Sequence, residues 1–513
     1  MDLGTAFAYT AARDPGREAF VEGARRVTYG AWYDEVRSLA GGLAGLGLRP
    51  GDTLAVVMRN RYEMASLYWA AQLSGLVFAP LSWRGSADEI AYCLEDCEAK
   101  AIAYDGAAGD AAPEAATRAR IDRAIVAADA TGEATAYAHL LDGTAVDGPT
   151  GADEESPCLM LYTSGTTGRP KGVPRSHRAE LTATVSHIAH NRYAFATASL
   201  GVMPLFHTMG IRVLLVSALL NGRYVAVPEY GPEEVLRLIA AERVENLFLV
   251  PTMFHDMLRH ERFGRHDLGS LSRVGYAGMT MTPALIEHCL EALRPELFVN
   301  YYGSSEIYTF TFSDRQNRKP GSAGRPGLNQ SIRVVPADSE GRAVHDEVLA
   351  AGQPGEIIAS MASPEAFKGY WRLPEADAKA IRDGWYYTGD LGQWDKDGEL
   401  TIMGRVDDMI ISGAENIYPE EVEDVAVRSG LAADVAVIGM ADARLGQRVV
   451  AFVEPAMVGL DAQALDQAYL ASPLPRFKRP REYVFVKRMP RSASGKLLRR
   501  LLREGEYEAL SDD

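Results

Sequence analysis

The sequence predicts an α/β fold with a large N-terminal domain of parallel sheets, a barrel-like β subdomain and a small α+β C-terminal domain. Three observations carry this. Strand-length apolar runs alternate with helical patterns as far as Tyr301, which argues for parallel sheets flanked by helices. From about Pro320 the texture changes to short strands separated by Gly and Pro turns. From Gly404 onward the chain has its own alternation of strands and helices, long enough for a small domain. The expected division is residues 1–404 and 405–513.

Each element has a local reason. Trp32, Val36, Leu39, Leu43 and Leu46 recur at helical spacing, and Gly47 follows as the C′ residue. Thr53 to Met58 is a buried strand, and Tyr62 to Leu73 a second helix. Ser86 and Glu89 form a capping box that opens a helix ending near Cys97. Ala99 to Tyr104 is the next strand. Gly106 to Asp153 is rich in Ala, Gly, Asp and Thr and reads as a surface segment with some helix. Pro232 takes the first helical position before Glu233 to Ala241. Asn246–Val250, Arg273–Ala277 and Leu297–Tyr301 are strands, separated by helices through His260 and over Pro283–Leu293. Ligands in such folds sit beyond the carboxyl ends of strands, which singles out the segments after Leu161, Ala277 and Tyr301.

Composition narrows the function classes. The 513 residues are 47% hydrophobic and 24% charged, ordinary for a globular chain able to bury a large core. Lys and Arg number 53 and Asp and Glu 69, a formal net charge of −16. That balance argues against nucleic acid or an anionic membrane as the main partner. Four cysteines, Cys93, Cys97, Cys158 and Cys289, are too few for a disulfide scaffold and read as reduced thiols. The N-terminus has no signal-peptide pattern, and Val213–Leu220 is too short to span a bilayer. The C-terminus is no peroxisomal address. A cytoplasmic location is expected.

The strongest chemical signal is Thr163-Ser164-Gly165-Thr166-Thr167-Gly168, followed by Lys171. Glycines admit close approach of backbone N–H groups to an anion, and hydroxyls donate further hydrogen bonds. This is a phosphate cradle, though not a Walker A loop, because Arg169-Pro170 intervenes before the lysine. Further strings follow in order: Pro204-Leu205-Phe206-His207, Tyr302-Gly303-Ser304-Ser305-Glu306, Tyr387-Thr388-Gly389-Asp390, Gly404-Arg405-Val406-Asp407-Asp408, Gly413-Ala414-Glu415-Asn416 and Ser494-Gly495-Lys496.

These motifs resemble those of the adenylate-forming superfamily of acyl-CoA synthetases, adenylation domains and luciferases. The resemblance covers essentially the whole chain and is greatest to 4-chlorobenzoate- and benzoate-type CoA ligases. It implies an ATP-dependent acid–CoA ligase with ATP, Mg²⁺ and coenzyme A as co-reactants. A carboxylate attacks the α-phosphate of ATP to give an acyl-adenylate and pyrophosphate; a thiol then takes the acyl group and AMP leaves.

By the same resemblance Glu306 holds Mg²⁺ against the ATP phosphates, as a lone carboxylate can. Tyr302, with Gly278, Gly303, Ser304 and Ser305, contacts the nucleotide. Asp390 accepts from the ribose hydroxyls and Arg405 contacts the ribose or phosphate. Lys496 neutralises charge at the reacting phosphate. Asp407 is the hinge of a mobile C-terminal domain. Ser412, Gly413 and Ala414 line a pantetheine tunnel; Ala414 replaces a glycine associated with the aryl-CoA ligases. Phe477, Lys478, Arg479 and Arg481 form a cationic patch for the CoA nucleotide, while Leu445 stands where relatives often carry an aromatic.

The implied acid pocket comprises His207, Thr208, Met209, Tyr276, Ala277, Tyr301, Gly303, Ile307, Tyr308 and Thr309, and His207 is also a catalytic candidate. No aspartate occurs at 207–209, which argues against an α-amino acid. The aromatic content suits a benzoate-like acid, and His187 with the Tyr and Thr hydroxyls leaves room for a ring hydroxyl. A stand-alone enzyme loading an aryl acid onto a carrier protein is the alternative. A nucleotide-binding regulator is disfavoured by intact Lys496, Glu306 and Asp390. A homodimer is left open.

Overall fold

The computed structural model describes residues 1–126, 135–163, 169–337, 344–412, 415–457, 459–491 and 497–510. By compactness the chain divides into two units: residues 1–332 with 359–386, and residues 333–358 with 387–513.

The first unit holds two large sheets. One has nine strands in the order Arg325–Pro326, Thr311–Ser313, Leu297–Tyr302, Arg273–Ala277, Asn246–Leu249, Ala198–Gly201, Arg223–Ala226, Glu18–Glu22 and Arg25–Thr28. Its six central strands pair in parallel, and the antiparallel pairs lie at the edges. The other has seven strands in the order Thr135–Ala136, Ala124–Val126, Ala99–Tyr104, Thr53–Val57, Val77–Pro80, Pro157–Thr163 and Lys171–Ser176. It is parallel except for its last hairpin.

One apolar core joins these sheets. Helix Tyr62–Leu73 is buried at every residue and lacks a polar face because it is packed all round. Phe7 stacks on Trp69 at 4.3 Å, and Trp32 donates to Ser66 Oγ at 2.8 Å, satisfying its indole inside that layer. The Ser86/Glu89 capping box is present, and Pro232 starts its helix. The segment 106–153 contributes more than the expected surface helix. Its short strands extend the seven-stranded sheet, and Tyr137 and Leu140 enter the core.

Among the described residues the second unit contains strand Leu400–Arg405, paired antiparallel with Trp385–Trp394, in the expected curled β piece. Its C-terminal sheet runs Glu415–Ile417, Ile410–Ser412, Gly446–Pro455 and Ala432–Asp442, with Glu482–Phe485 alongside Gly446–Pro455. Helices Pro419–Arg428 and Ala462–Ala471 cover its apolar face through Val422, Ala426, Leu465 and Tyr469. This is the expected α+β arrangement.

Candidate active site

In the first unit, the antiparallel register Thr163↔Lys171 brings together the two ends of the phosphate-cradle segment. Ser164, Gly165, Thr166, Thr167 and Gly168 themselves lie outside the described residues. Lys171 leaves the cradle with its Nζ 4.9 Å from the centre of the Tyr370 ring.

The Tyr302–Glu306 segment leaves the carboxyl end of strand Leu297–Tyr302 and folds back on itself. Phe310 N donates to Tyr302 O at 2.9 Å, and Ser304 N donates to Ile307 O at 3.0 Å. Gly303 is required here, because a Cβ would stand 2.0 Å from the Tyr308 carbonyl oxygen. Ser305 Oγ lies 3.4 Å from Thr208 Oγ1, linking this loop to the helix that follows His207. Gly278, at φ +87°, turns the chain after strand Arg273–Ala277.

Glu306 is buried and held at three points. The Tyr370 hydroxyl donates to its Oε1 at 2.7 Å, Arg175 Nη1 donates to its carbonyl at 2.8 Å, and Phe367 N donates to the same carbonyl at 2.9 Å. Burial raises the Tyr370 phenol well above its ordinary range, so it stays a donor. Among the described residues Glu306 Oε2 has no hydrogen-bond partner, which suits one carboxylate ligand to a nucleotide-bound Mg²⁺.

Behind this loop lies a buried ionic triad that the sequence reading did not contain. Arg175 Nε and Arg212 Nη2 bind the two carboxylate oxygens of Glu180 at 3.0 and 3.3 Å. Both guanidiniums also lie over the Tyr308 ring, at 4.0 and 4.6 Å. Tyr370 was missed as well. It follows Gly369, whose φ of +126° and contact with Asp377 mark a tight turn; a glycine before an aromatic is the only signal in the sequence.

His207 caps the helix Thr208–Leu219, accepting from Met209 N through Nδ1 at 3.3 Å. Burial lowers its pKa, so the ring is neutral, and Nδ1 as acceptor assigns the proton to Nε2. Met209, Tyr301, Ile307 and Tyr308 share one core, with Ala277 packed against it and Thr309 buried nearby. Tyr276 does not join them. Strand residues alternate between faces, and Tyr276 packs on Phe298 in the opposite core with its hydroxyl on Gln316.

In the second unit, Asp390 and Arg405 face each other across paired strands, and Arg405 Nη1 donates to Asp390 Oδ1 at 2.7 Å. Gly389, at φ +70°, gives the guanidinium room. Asp407 is exposed in the turn Val406–Asp408, while Asp408 binds Arg499 and Arg503. Ser412 ends a strand; Gly413, Ala414 and Lys496 lie outside the described residues. Three residues after Lys496, Arg499 is clamped by Asp408, Glu420 and Glu423.

Two cations of the expected patch are neutralised within the unit. Lys478 binds both oxygens of Glu421 at 2.7 and 2.8 Å, and Arg479 binds Asp466 at 3.2 Å. Phe477 is exposed, and Arg481 makes no ion pair among the described residues. No described helix is long and apolar enough to cross a membrane.

The first unit carries a buried glutamate beyond a parallel strand, and the second, by itself, an Asp–Arg pair on a curled sheet; each suits a nucleotide-dependent enzyme. Residues 7–371 match the AMP-binding enzyme family and residues 421–496 its C-terminal domain, and the chain belongs to that family. It is 33% identical over 505 residues to a 4-chlorobenzoate–CoA ligase from Arthrobacter sp., covering 97% of this chain and 94% of the relative. A long-chain-fatty-acid–CoA ligase from Mycobacterium tuberculosis is 31% identical over 507 residues, covering 96% of each chain. The structure of o-succinylbenzoate CoA synthetase from Bacillus subtilis with its acyl-adenylate intermediate superimposes with a TM-score of 0.86 at 26% identity, covering 99% of this chain and 100% of that one.

Proposed function

We propose that this AMP-forming acid–CoA ligase activates a flat, benzoate-like ring acid. The observation that supports the ring is the aromatic wall beside the Glu306 loop. The Tyr301 ring is flanked by His187 at 4.7 Å and Phe248 at 5.7 Å, with Met209, Ile307 and Tyr308 in the same core. No aspartate stands at 207–209 to pair with an α-ammonium.

In the first half-reaction a carboxylate oxygen attacks the α-phosphorus of ATP, and the bond to the departing pyrophosphate breaks. The 163–168 cradle and Lys171 hold the phosphates, Glu306 would hold Mg²⁺, which supplies charge neutralisation there when bound, and His207 Nε2–H is a donor for the acid. Asp390 and Arg405 bind the ribose, with Tyr302 on the adenine. Lys496 supplies positive charge where negative charge develops, which is most of what phosphoryl transfer asks of a protein. The C-terminal domain, residues 405–513, then turns about Asp407. The Ser412–Ala414 segment admits the thiol, which attacks the acyl carbon; AMP leaves and the thiol proton passes to solvent. AMP release across a panel of acids, with and without CoA, tests the reading.

Loading of a carrier protein is a second reading, and one observation favours it. Lys478 and Arg479 are already paired with Glu421 and Asp466, which weakens the case for a CoA-nucleotide site. Saturation at micromolar free CoA would decide for the ligase.

A further inference from the structure

Beyond the Tyr301 wall lies a cavity with room for about one water molecule, with a volume of about 10 Å³. Its apolar sides are Val213 and Phe248, and its polar lining is His187, Tyr193, Ser199 and Asn246. Its lining borders residues assigned above to the acid pocket. Phe248 and His187 pack on the Tyr301 ring. Val213 and Val216 lie four and seven residues after Met209, on the same face of helix Thr208–Leu219. At 1.5 Å per residue, Val213 is roughly 6 Å farther from the His207 end than Met209 is. That is about the span of a benzene ring.

Several polar atoms here are left over by the fold. His187 is 4% exposed, and neither ring nitrogen makes a hydrogen bond among the described residues. The Tyr193 hydroxyl likewise has no partner among the described residues. Asn246 Nδ2 donates to Ser199 Oγ at 3.0 Å and to Thr197 Oγ1 at 2.9 Å, which fixes the amide and leaves its Oδ1 without a partner among the described residues. Burial and the neighbouring Arg212 cation keep His187 neutral, with one donor and one acceptor nitrogen. Polar atoms that face a cavity and lack a protein partner are met by a water or a ligand group. The charge of Arg212, felt at His187, disfavours a cation here. A neutral hydroxyl both donates and accepts, and it has the volume of one water.

We infer that His187, Ser199, Asn246 and Tyr193 form a hydroxyl-recognition subsite at the far end of the acid pocket, so that the preferred substrate is a ring acid with a hydroxyl opposite its carboxyl group. The inference rests on the ring-acid reading above. It assigns specificity to residues on three elements and one loop that carry no sequence motif.

The test compares kcat/KM for 4-hydroxybenzoate, benzoate, 4-aminobenzoate, terephthalate and octanoate, measured as pyrophosphate release. The expected preference for the hydroxy acid over benzoate is at least about 100-fold, because a site built for a hydroxyl leaves its own polar groups unpaired with the analogue that lacks it. In His187→Phe that ratio falls to within about threefold of unity. In Ser199→Ala, which disturbs packing less, it falls about tenfold. Equal turnover of benzoate and 4-hydroxybenzoate, or a ratio unmoved in both variants, overturns the subsite while leaving the ring-acid reading intact. Preference for terephthalate or 4-aminobenzoate overturns the hydroxyl assignment. Turnover of octanoate with no ring acid accepted overturns both readings.

Discussion

The Tyr370 hydroxyl donates to Oε1 of Glu306 at 2.7 Å, tying the turn after Gly369 to the loop beyond strand Leu297–Tyr302. One carboxylate oxygen is thereby fixed and the other left for a ligand. Because Lys171 Nζ lies over the same ring, Tyr370 connects the cradle's lysine to the proposed metal-binding glutamate.

Tyr370→Phe keeps the ring and removes the hydrogen bond. Hydrogen bonds to charged groups are worth about 1.5–3 kcal/mol, so adenylation should slow about 10- to 100-fold. The Mg²⁺ concentration giving half-maximal rate should rise. Pyrophosphate release against Mg²⁺ measures both, and an unchanged Mg²⁺ dependence would separate Tyr370 from the metal.

Gly303→Ala places a methyl 2.0 Å from the Tyr308 carbonyl oxygen. That neighbour is backbone and cannot step aside, so the loop carrying Glu306 must move. A displacement of about 1 Å in a reacting geometry costs on the order of 100-fold in rate. The purified variant should lose adenylation while retaining its circular dichroism spectrum. Normal turnover would show that the loop geometry is not what aligns Glu306.

Glu180→Gln removes the carboxylate that Arg175 and Arg212 both bind, leaving Glu365 as the buried acid whose charge both still feel. Removing one partner of a buried ion pair costs about 3–5 kcal/mol, read as a lower urea midpoint. Since Arg175 also holds the Glu306 carbonyl, the surviving folded fraction should bind ATP more weakly. A midpoint within error of the parent would mean that the triad adds nothing to stability.

Acid stability follows from the buried histidines. His190 stacks on Phe312 at 3.9 Å, and burial lowers its pKa to about 4 from 6.5. The folded state then resists a proton that the unfolded chain accepts. Stability is fully present above pH 6.5 and is lost as the pH falls toward 4, by roughly 3 kcal/mol for this group. His187 and His207 shift in the same direction. The melting temperature should drop across that window, and less steeply in His190→Gln. A flat profile in the parent would contradict the neutral assignment.

Much of this was legible in the sequence where local chemistry decides. Helix Tyr62–Leu73 and strands Ala99–Tyr104 and Arg273–Ala277 stand where apolar runs and turn residues placed them. The family resemblance placed Tyr276 with Tyr301, yet each residue's face depends on its register within a strand, and Tyr276 faces the opposite core. The Arg175–Glu180–Arg212 triad was illegible because its members stand on separate elements, with Arg212 and Glu180 32 residues apart. A lone arginine in an apolar helix announces no partner. Tyr370 was hidden for the same reason, and so were Tyr193, Ser199 and Asn246 around His187: tertiary packing brings them together. The basic run 476–481 looked free, but Glu421 and Asp466 occupy two of its cations.

Lys496→Ala separates the two half-reactions. Adenylation should fall by at least about 100-fold, as when an electrostatic stabiliser of a transition state is removed. Thioester formation from supplied acyl-adenylate should stay within a few-fold of the parent. Equal loss in both steps would remove Lys496 from its proposed place.

The most direct measurement is AMP release from ATP and Mg²⁺ with a ring-acid panel, with and without free CoA. CoA-dependent, saturable AMP release with a ring acid, accompanied by the acyl-CoA product, is the expected result. Acyl-adenylate that accumulates and is not discharged by CoA, or turnover confined to alkanoic acids, would contradict it.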